Sequence, residues 1–190
     1  MAKNTLSSES YELMADQRAI LFRFASRLWL RELDQPTLKQ LQGPLSESWQ
    51  SIGGQAPVST LENLQADFCQ LLTHPKSYVA PFQSVWTSGQ LGGSSVSSMR
   101  NWMSETDYLT QVAVEEIPDL LGVQLDLYGW MTSRKAESGA DQQVVVEVTR
   151  RYAQQHLSWT GKLLEQATAA ANTKFYRSVV SVTRDLLTVI

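Results

Sequence analysis

The chain has 190 residues, 43% of them apolar, and its 16 basic and 19 acidic side chains leave a formal charge of −3. That length supports one domain with a sizeable core, and a pI near 5.4 offers a phosphate backbone little to hold, so nucleic acid is not an expected partner. One cysteine, Cys69, excludes an intrachain disulfide framework; set in an apolar stretch, it reads as a small buried core residue. The start MAKNTLSSES is polar and no apolar run is long enough to span a bilayer, so the expected location is the cytoplasm, without integral membrane association.

From Tyr11 to Leu33 the spacing predicts a long amphipathic helix, with Leu13, Ile20, Leu21, Phe24 and Leu28 on the buried side and Glu12, Asp16, Arg23 and Arg27 opposite. Gln35-Pro36 interrupts it, a short helix follows, and the Gly/Pro/Ser-rich stretch from Gly43 to Pro57 reads as a loop. Ser59 or Thr60 is placed to cap a helix running to about Leu72, which His74-Pro75 stops. Residues 87–98, TSGQLGGSSVSS, have the composition of a flexible connection. Helices are then expected over Met99 to Ser104, Pro118 to Ser133, Gln142 to Ser158, Thr160 to Ala171 and Thr173 to Leu187. Val144-Val145-Val146 alone would suit a strand, but Val144, Val148, Tyr152 and His156 step by four along one face, which is a helical spacing. The expected architecture is all-α: a single helical domain of two lobes, residues 1–86 and 99–190, joined by a hinge at 87–98.

Little in this chain resembles catalytic machinery. Its histidines, His74 and His156, are far apart and far from a second ligand cluster, so no metal site is expected. Gly53-Gly54 and Gly92-Gly93 lack the strand and the pattern that aim backbone N–H groups at phosphate, and no nucleophile elbow is present. The expectation is therefore a protein that is not an enzyme and carries no cofactor.

Two stretches stand out physically. The first joins Ala66 to Pro75, the end of an apolar helix, to a Pro-punctuated segment, Val79 to Trp86, that carries Phe82 and Trp86. Aromatics held this way are core anchors or the wall of a groove, and on the residues alone the core reading is preferred. The second, Val114 to Leu125, sets Glu115, Glu116 and Asp119 around Pro118. Carboxylates there favour helix initiation through the N-terminal dipole, or form an acidic rim suited to a guanidinium. His156 and Trp159 read as packing on the apolar face of their helix, and Arg100 and Trp102 as either inter-lobe packing or peptide contacts.

Taken in order, these stretches resemble the TorD/DmsD/NarJ family of redox-enzyme maturation chaperones, the DmsD branch in particular. Asp67 to Pro75 is similar to the family's Asp-aromatic-x-x-Leu-Phe-x-Gly-Pro segment, and Ala80 to Trp86 to its Pro-Pro-aromatic-x-Ser-Val-aromatic segment. Met99-Arg100-Asn101-Trp102-Met103 is similar to an Arg-x-Trp-Met stretch, and Glu116 to Gly122 to the acidic Glu-x-x-Asp-His-x-Gly signature. His156 to Trp159 and Phe175 to Arg177 continue the likeness. The chain departs from it at Leu120, where the family has histidine, at His74 in place of glycine, and at Lys76 in place of tryptophan.

The resemblance implies an all-helical, non-enzymatic protein that binds the twin-arginine leader peptide of a molybdenum-cofactor enzyme and delays export. Such a leader is a basic segment followed by an apolar one. Phe68, Leu71, Leu72, Pro81, Phe82 and Trp86 are expected to line its apolar groove, and Glu116 and Asp119 to meet its arginines. Pro75, Ser84, Trp102 and Gly122, within the same motifs, complete the expected peptide-binding set. A helical adaptor that docks a folded partner is the alternative. The assembly is expected to be a monomer or, through the hinge, a domain-swapped dimer.

Overall fold

The structure, a computed structural model, describes residues 8–74, 79–108, 117–137 and 142–190. Its elements are α1 (Ser8–Leu30), α2 (Gln35–Gln42), α3 (Ser46–Ser51), α4 (Leu61–Phe68), α5 (Gln83–Ser88), α6 (Ser94–Glu105), α7 (Leu121–Glu137), α8 (Gln142–His156), α9 (Thr160–Ala170) and α10 (Lys174–Thr188). Among the described residues there is no strand, only an isolated antiparallel bridge between Phe82 and Leu120.

The starts of several helices follow from their caps. α1 has ended at Leu30; Asp34 accepts the Thr37 N–H at 2.8 Å with Pro36 in the first turn of α2, so the proline begins the second helix. Thr60 caps α4 through the Asn63 N–H, and Thr173 caps α10 through the Tyr176 N–H. α4 does not run on as an α-helix to Leu72. It widens into a π-helical turn, Cys69–Thr73, in which the His74 N–H reaches back to the Cys69 carbonyl at 2.7 Å.

Gly122 and Gly129 lie seven residues apart on α7, two turns along one face, and there α1 crosses antiparallel at close range. A Cβ on Gly122 would stand 2.4 Å from Leu30 Cγ and 3.1 Å from the Ser26 carbonyl oxygen. One on Gly129 would stand 2.7 Å from Arg23 Cγ and 3.0 Å from the Ala19 carbonyl oxygen. Small Ala19 and Ser26 face these glycines, both buried, and this orientation carries Phe22, Ala25 and Trp29 into the core. Ile20, expected on the buried side, is thereby turned outward and is 66% exposed. The glycines set the rotation of α1, which its own apolar spacing had left ambiguous.

One apolar cluster extends from Phe22 on α1 to Leu186 on α10. Trp29 of α1 donates to Thr183 Oγ1 of α10 at 2.8 Å, and Trp49 of α3 packs between Phe24 and Phe175. Asp67 at the end of α4 is buried and accepts from Thr173 N–H (2.7 Å), Thr173 Oγ1 (2.6 Å) and Asn172 N–H (2.9 Å), tying α4 to the start of α10.

Four expectations are corrected. The stretch from Gly43 to Pro57 contains α3, because Trp49 supplies a large apolar anchor that the loop composition disguised. Within 87–98, Thr87 and Ser88 end α5 and α6 already begins at Ser94, so irregular backbone is confined to 89–93. There Gly92 and Gly93 adopt φ of +99° and +79°, open to glycine without strain. Cys69 is exposed, since it lies off the helix face that Leu64, Phe68, Leu71 and Leu72 share. α7 begins at Leu121, so Pro118 lies in the preceding turn and not in the helix.

The close crossing sets up a measurable contrast. Gly122→Ala and Gly129→Ala should each destabilise the fold by about 1–3 kcal/mol through overpacking. Gly161→Ala, at a helical site with nothing within 4 Å of the added Cβ, should stabilise it by about 0.5 kcal/mol. Urea unfolding midpoints of the three variants test this ordering.

Candidate functional site

Helix α7 is buried on every side from Leu121 to Gly129, so its polar side chains must find partners inside the protein. Asp126 accepts from Tyr108 Oη at 2.5 Å and from Arg23 Nε at 3.3 Å. Gln124, fully buried, donates through Nε2 to Gln83 Oε1 (2.7 Å) and accepts from Trp159 Nε1 (3.0 Å). From this pair a continuous hydrogen-bonded cluster spreads across α5, α6, α7 and α8.

Gln83 Oε1 also receives His156 Nδ1 at 2.9 Å. Because that oxygen can only accept, Nδ1 carries the imidazole proton and Nε2 accepts, here from Ser98 Oγ at 3.0 Å. Ser98 Oγ in turn accepts from Gln155 Nε2 (2.8 Å), and Gln155 Oε1 accepts from Trp102 Nε1 (3.0 Å). Gln83 Nε2 closes the cluster on the Gln155 carbonyl at 2.8 Å. Tyr152 donates to the Gln124 carbonyl at 3.0 Å while its ring meets Trp102 edge-on. Every role is fixed by its neighbour, so the cluster is a rigid, neutral plug rather than a set of poised acids and bases.

Asp119 stands beside it. Its carboxylate Oδ2 accepts the Ser84 N–H at 2.8 Å and its carbonyl accepts the Gln83 N–H at 3.0 Å. Leu121 N–H donates to the Pro81 carbonyl at 2.8 Å, so 81–84 and 119–121 are laced together. Asp119 is wholly buried, and its Oδ1 has no hydrogen-bond partner among the described residues. The carboxylate expected at an acidic rim thus lies in the interior of this structure. The first backbone groups of α5 capture this carboxylate in the interior.

The structure brings together Pro81, Phe82, Ser84, Trp86, Trp102, Asp119 and Gly122 around α5 to α7, but mostly as internal parts. Ser84 is buried and its Oγ accepts the Gly92 N–H; Trp102 is buried beneath Arg151, whose guanidinium lies 5.1 Å from the ring centre; Gly122 serves the α1 crossing. Phe68, Leu71 and Leu72 are buried in the core, with the Leu71 carbonyl accepting from Val79 N–H. Phe82 and Trp86 alone among the expected aromatic contacts keep part of their rings at the surface, Trp86 held by a 2.6 Å bond from Nε1 to the Ala80 carbonyl. Pro75 and Glu116 lie outside the described residues. The sequence reading missed Gln83, Gln124, Ser98 and Gln155 as a cluster. The signal available to it was His156 at core spacing, a side chain that requires polar company when buried.

The geometry is that of an all-helical protein in which the partly exposed Phe82 and Trp86 sit beside an internal polar plug. Among the described residues no group of three or more His, Cys, Asp or Glu is placed to hold a metal ion, and no helix is long and apolar enough to cross a membrane. A family profile, that of the nitrate reductase delta subunit, matches residues 38–165, and the chain belongs to this family, the TorD/NarJ group of redox-enzyme maturation chaperones. It is similar to the chaperone protein TorD of Aliivibrio fischeri, with 25% identity over 177 residues, covering 90% of this chain and 81% of that one. Its fold is similar to that of a protein from Archaeoglobus fulgidus described as a redox enzyme maturation protein. The TM-score is 0.58 at 18% identity, covering 90% of this chain and 93% of the other.

Burial makes the plug sensitive to acid. Desolvation lowers the His156 pKa from 6.5 to about 4, so the unfolded chain takes up a proton that the folded one refuses. This contribution to stability is complete above pH 6.5 and is lost as the pH falls toward 4. Between about pH 7 and pH 5 it should amount to on the order of 2 kcal/mol. Denaturant titrations at the two pH values should show a smaller loss for His156→Gln than for the parent protein.

Proposed function

We propose that this chain acts in the cytoplasm, where it binds the twin-arginine leader of a molybdenum-cofactor redox enzyme and holds that enzyme back from export until it is mature. The observation that carries this reading is the convergence of Ala80 to Trp86, Met99 to Trp102, Asp119 to Gly122 and His156 to Trp159 on one hydrogen-bonded body. At its edge Phe82 and Trp86 remain partly open. The residues of the recognised motifs build a platform for a ligand rather than a reacting centre.

A leader of this kind presents arginines followed by an apolar run, which suits aromatic anchors held on rigid backbone. Part of the cost of ordering an interface is already met in the free protein, because the Trp86 indole is pinned to Ala80 and 81–84 is laced to 119–121. Leu120 is itself buried and paired with Phe82 across the bridge, so in this chain that position serves packing rather than ligand contact.

Isothermal calorimetry with a synthetic peptide carrying two adjacent arginines and a leucine- and alanine-rich run should show binding. Changing both arginines to glutamine should weaken it by at least about ten-fold, more at low salt than at high salt. Trp86→Ala should cost about 2 kcal/mol of binding if the ring is an anchor. A peptide that gives no heat of binding refutes the leader reading.

A further inference from the structure

Helix α5 and the residue before it carry both partly open aromatics, yet nothing in that segment fixes where the helix begins. It has six residues, too few to hold together alone, no acidic side chain in its first turn, and no side-chain cap from Phe82. Its cap comes from elsewhere. Asp119 Oδ2, 35 residues further along the chain, takes the Ser84 N–H at 2.8 Å. The carbonyl of the same residue takes the Gln83 N–H at 3.0 Å.

Phe82 adjoins one of these N–H groups and Trp86 stands two residues beyond the other, so the bonds that Asp119 makes aim both rings. Asp119 itself is 0% exposed, and a ligand lying on the surface reaches neither of its oxygens. Without the carboxylate, the Ser84 N–H would be buried and unpaired, a state that α5 escapes by shifting its first turn. The rest of the segment stays anchored, because Leu121 N–H holds the Pro81 carbonyl, Phe82 is bridged to Leu120, and Gln83 Nε2 is bonded to the Gln155 carbonyl. The shift is thus confined to a few residues that include the two rings.

We infer that Asp119 is a positioning residue of the leader site: it raises affinity by fixing the start of α5, and with it Phe82 and Trp86, without meeting the arginines. The inference rests on the leader-binding reading and adds to it how that site is held in its binding form. What matters at position 119 is then the oxygen that accepts from Ser84, a requirement that an amide oxygen also meets.

Calorimetry on the full chain, with the arginine-pair peptide described above and its glutamine version, tests the inference. Asp119→Ala should lower the affinity at least about ten-fold for both peptides alike, leaving their ratio unchanged at low and at high salt. Asp119→Asn, which restores an acceptor oxygen, should recover the parent affinity to within about three-fold. In a Trp86→Ala background Asp119→Ala should cost about three-fold or less, since its effect runs largely through that ring. An Asn variant as weak as the Ala variant, with the preference for arginine lost, overturns the inference, because a direct contact with the arginines would do that. Losses at 119 and 86 that simply add overturn it as well. So does an Ala variant without the parent's helical circular dichroism spectrum, because the carboxylate would then hold the whole fold. In each of these cases the parent still binds and the leader reading stands; a parent that ignores the peptide overturns both.

Discussion

Everything in this fold is arranged around the close antiparallel crossing of α1 and α7 at Gly122 and Gly129. Backbone meets backbone there, so α7 has no side of its own left for water and is enclosed from Leu121 to Gly129. Enclosure converts each polar side chain of α7 into a demand for a partner, since an unpaired buried amide or carboxylate costs more than a made hydrogen bond returns. Asp126 draws in Tyr108 and Arg23, while Gln124 draws in Gln83 and Trp159. The polar plug is the consequence of a steric contact on the other face of the same helix.

That chain of cause explains why a histidine sits neutral at the centre of a protein in a chaperone family. His156 bridges Gln83 and Ser98, and with its proton fixed on Nδ1 it joins the Pro-punctuated segment before α5 to α6 and α8. Protonation would set a donor against Ser98 and place a charge where no carboxylate among the described residues is bonded to the ring. The cluster therefore works as scaffolding: it ties α5, α6, α7 and α8 together beside the partly exposed Phe82 and Trp86.

Much of the fold could be read from residue spacing. The cap at Thr60 and the step by four from Val144 to His156 locate helices because they express local physics. Ile20 misled because the partner face decides how α1 is rotated, and that partner lies about a hundred residues away. Cys69 misled because apolar neighbours suggested burial, while at 100° per residue it lies off the face shared by Leu64, Phe68, Leu71 and Leu72. The candidate site was legible as a set of segments but not as a set of roles. Asp119 looks like an exposed anion in sequence, and only the N–H of Ser84, folded over it, shows that it is an internal cap.

The Asp67 carboxylate, which caps the start of α10, has a further consequence for how the protein comes into being on the ribosome. Its donors, Asn172 and Thr173, are synthesised more than a hundred residues later, and Trp29 waits longer still for Thr183. Until then a charged group meant for the interior faces water, and the apolar faces of α1, α3 and α4 stand open. The first half of the chain can form helices early but cannot seal. The fold must itself remain unfinished until its own last helix arrives.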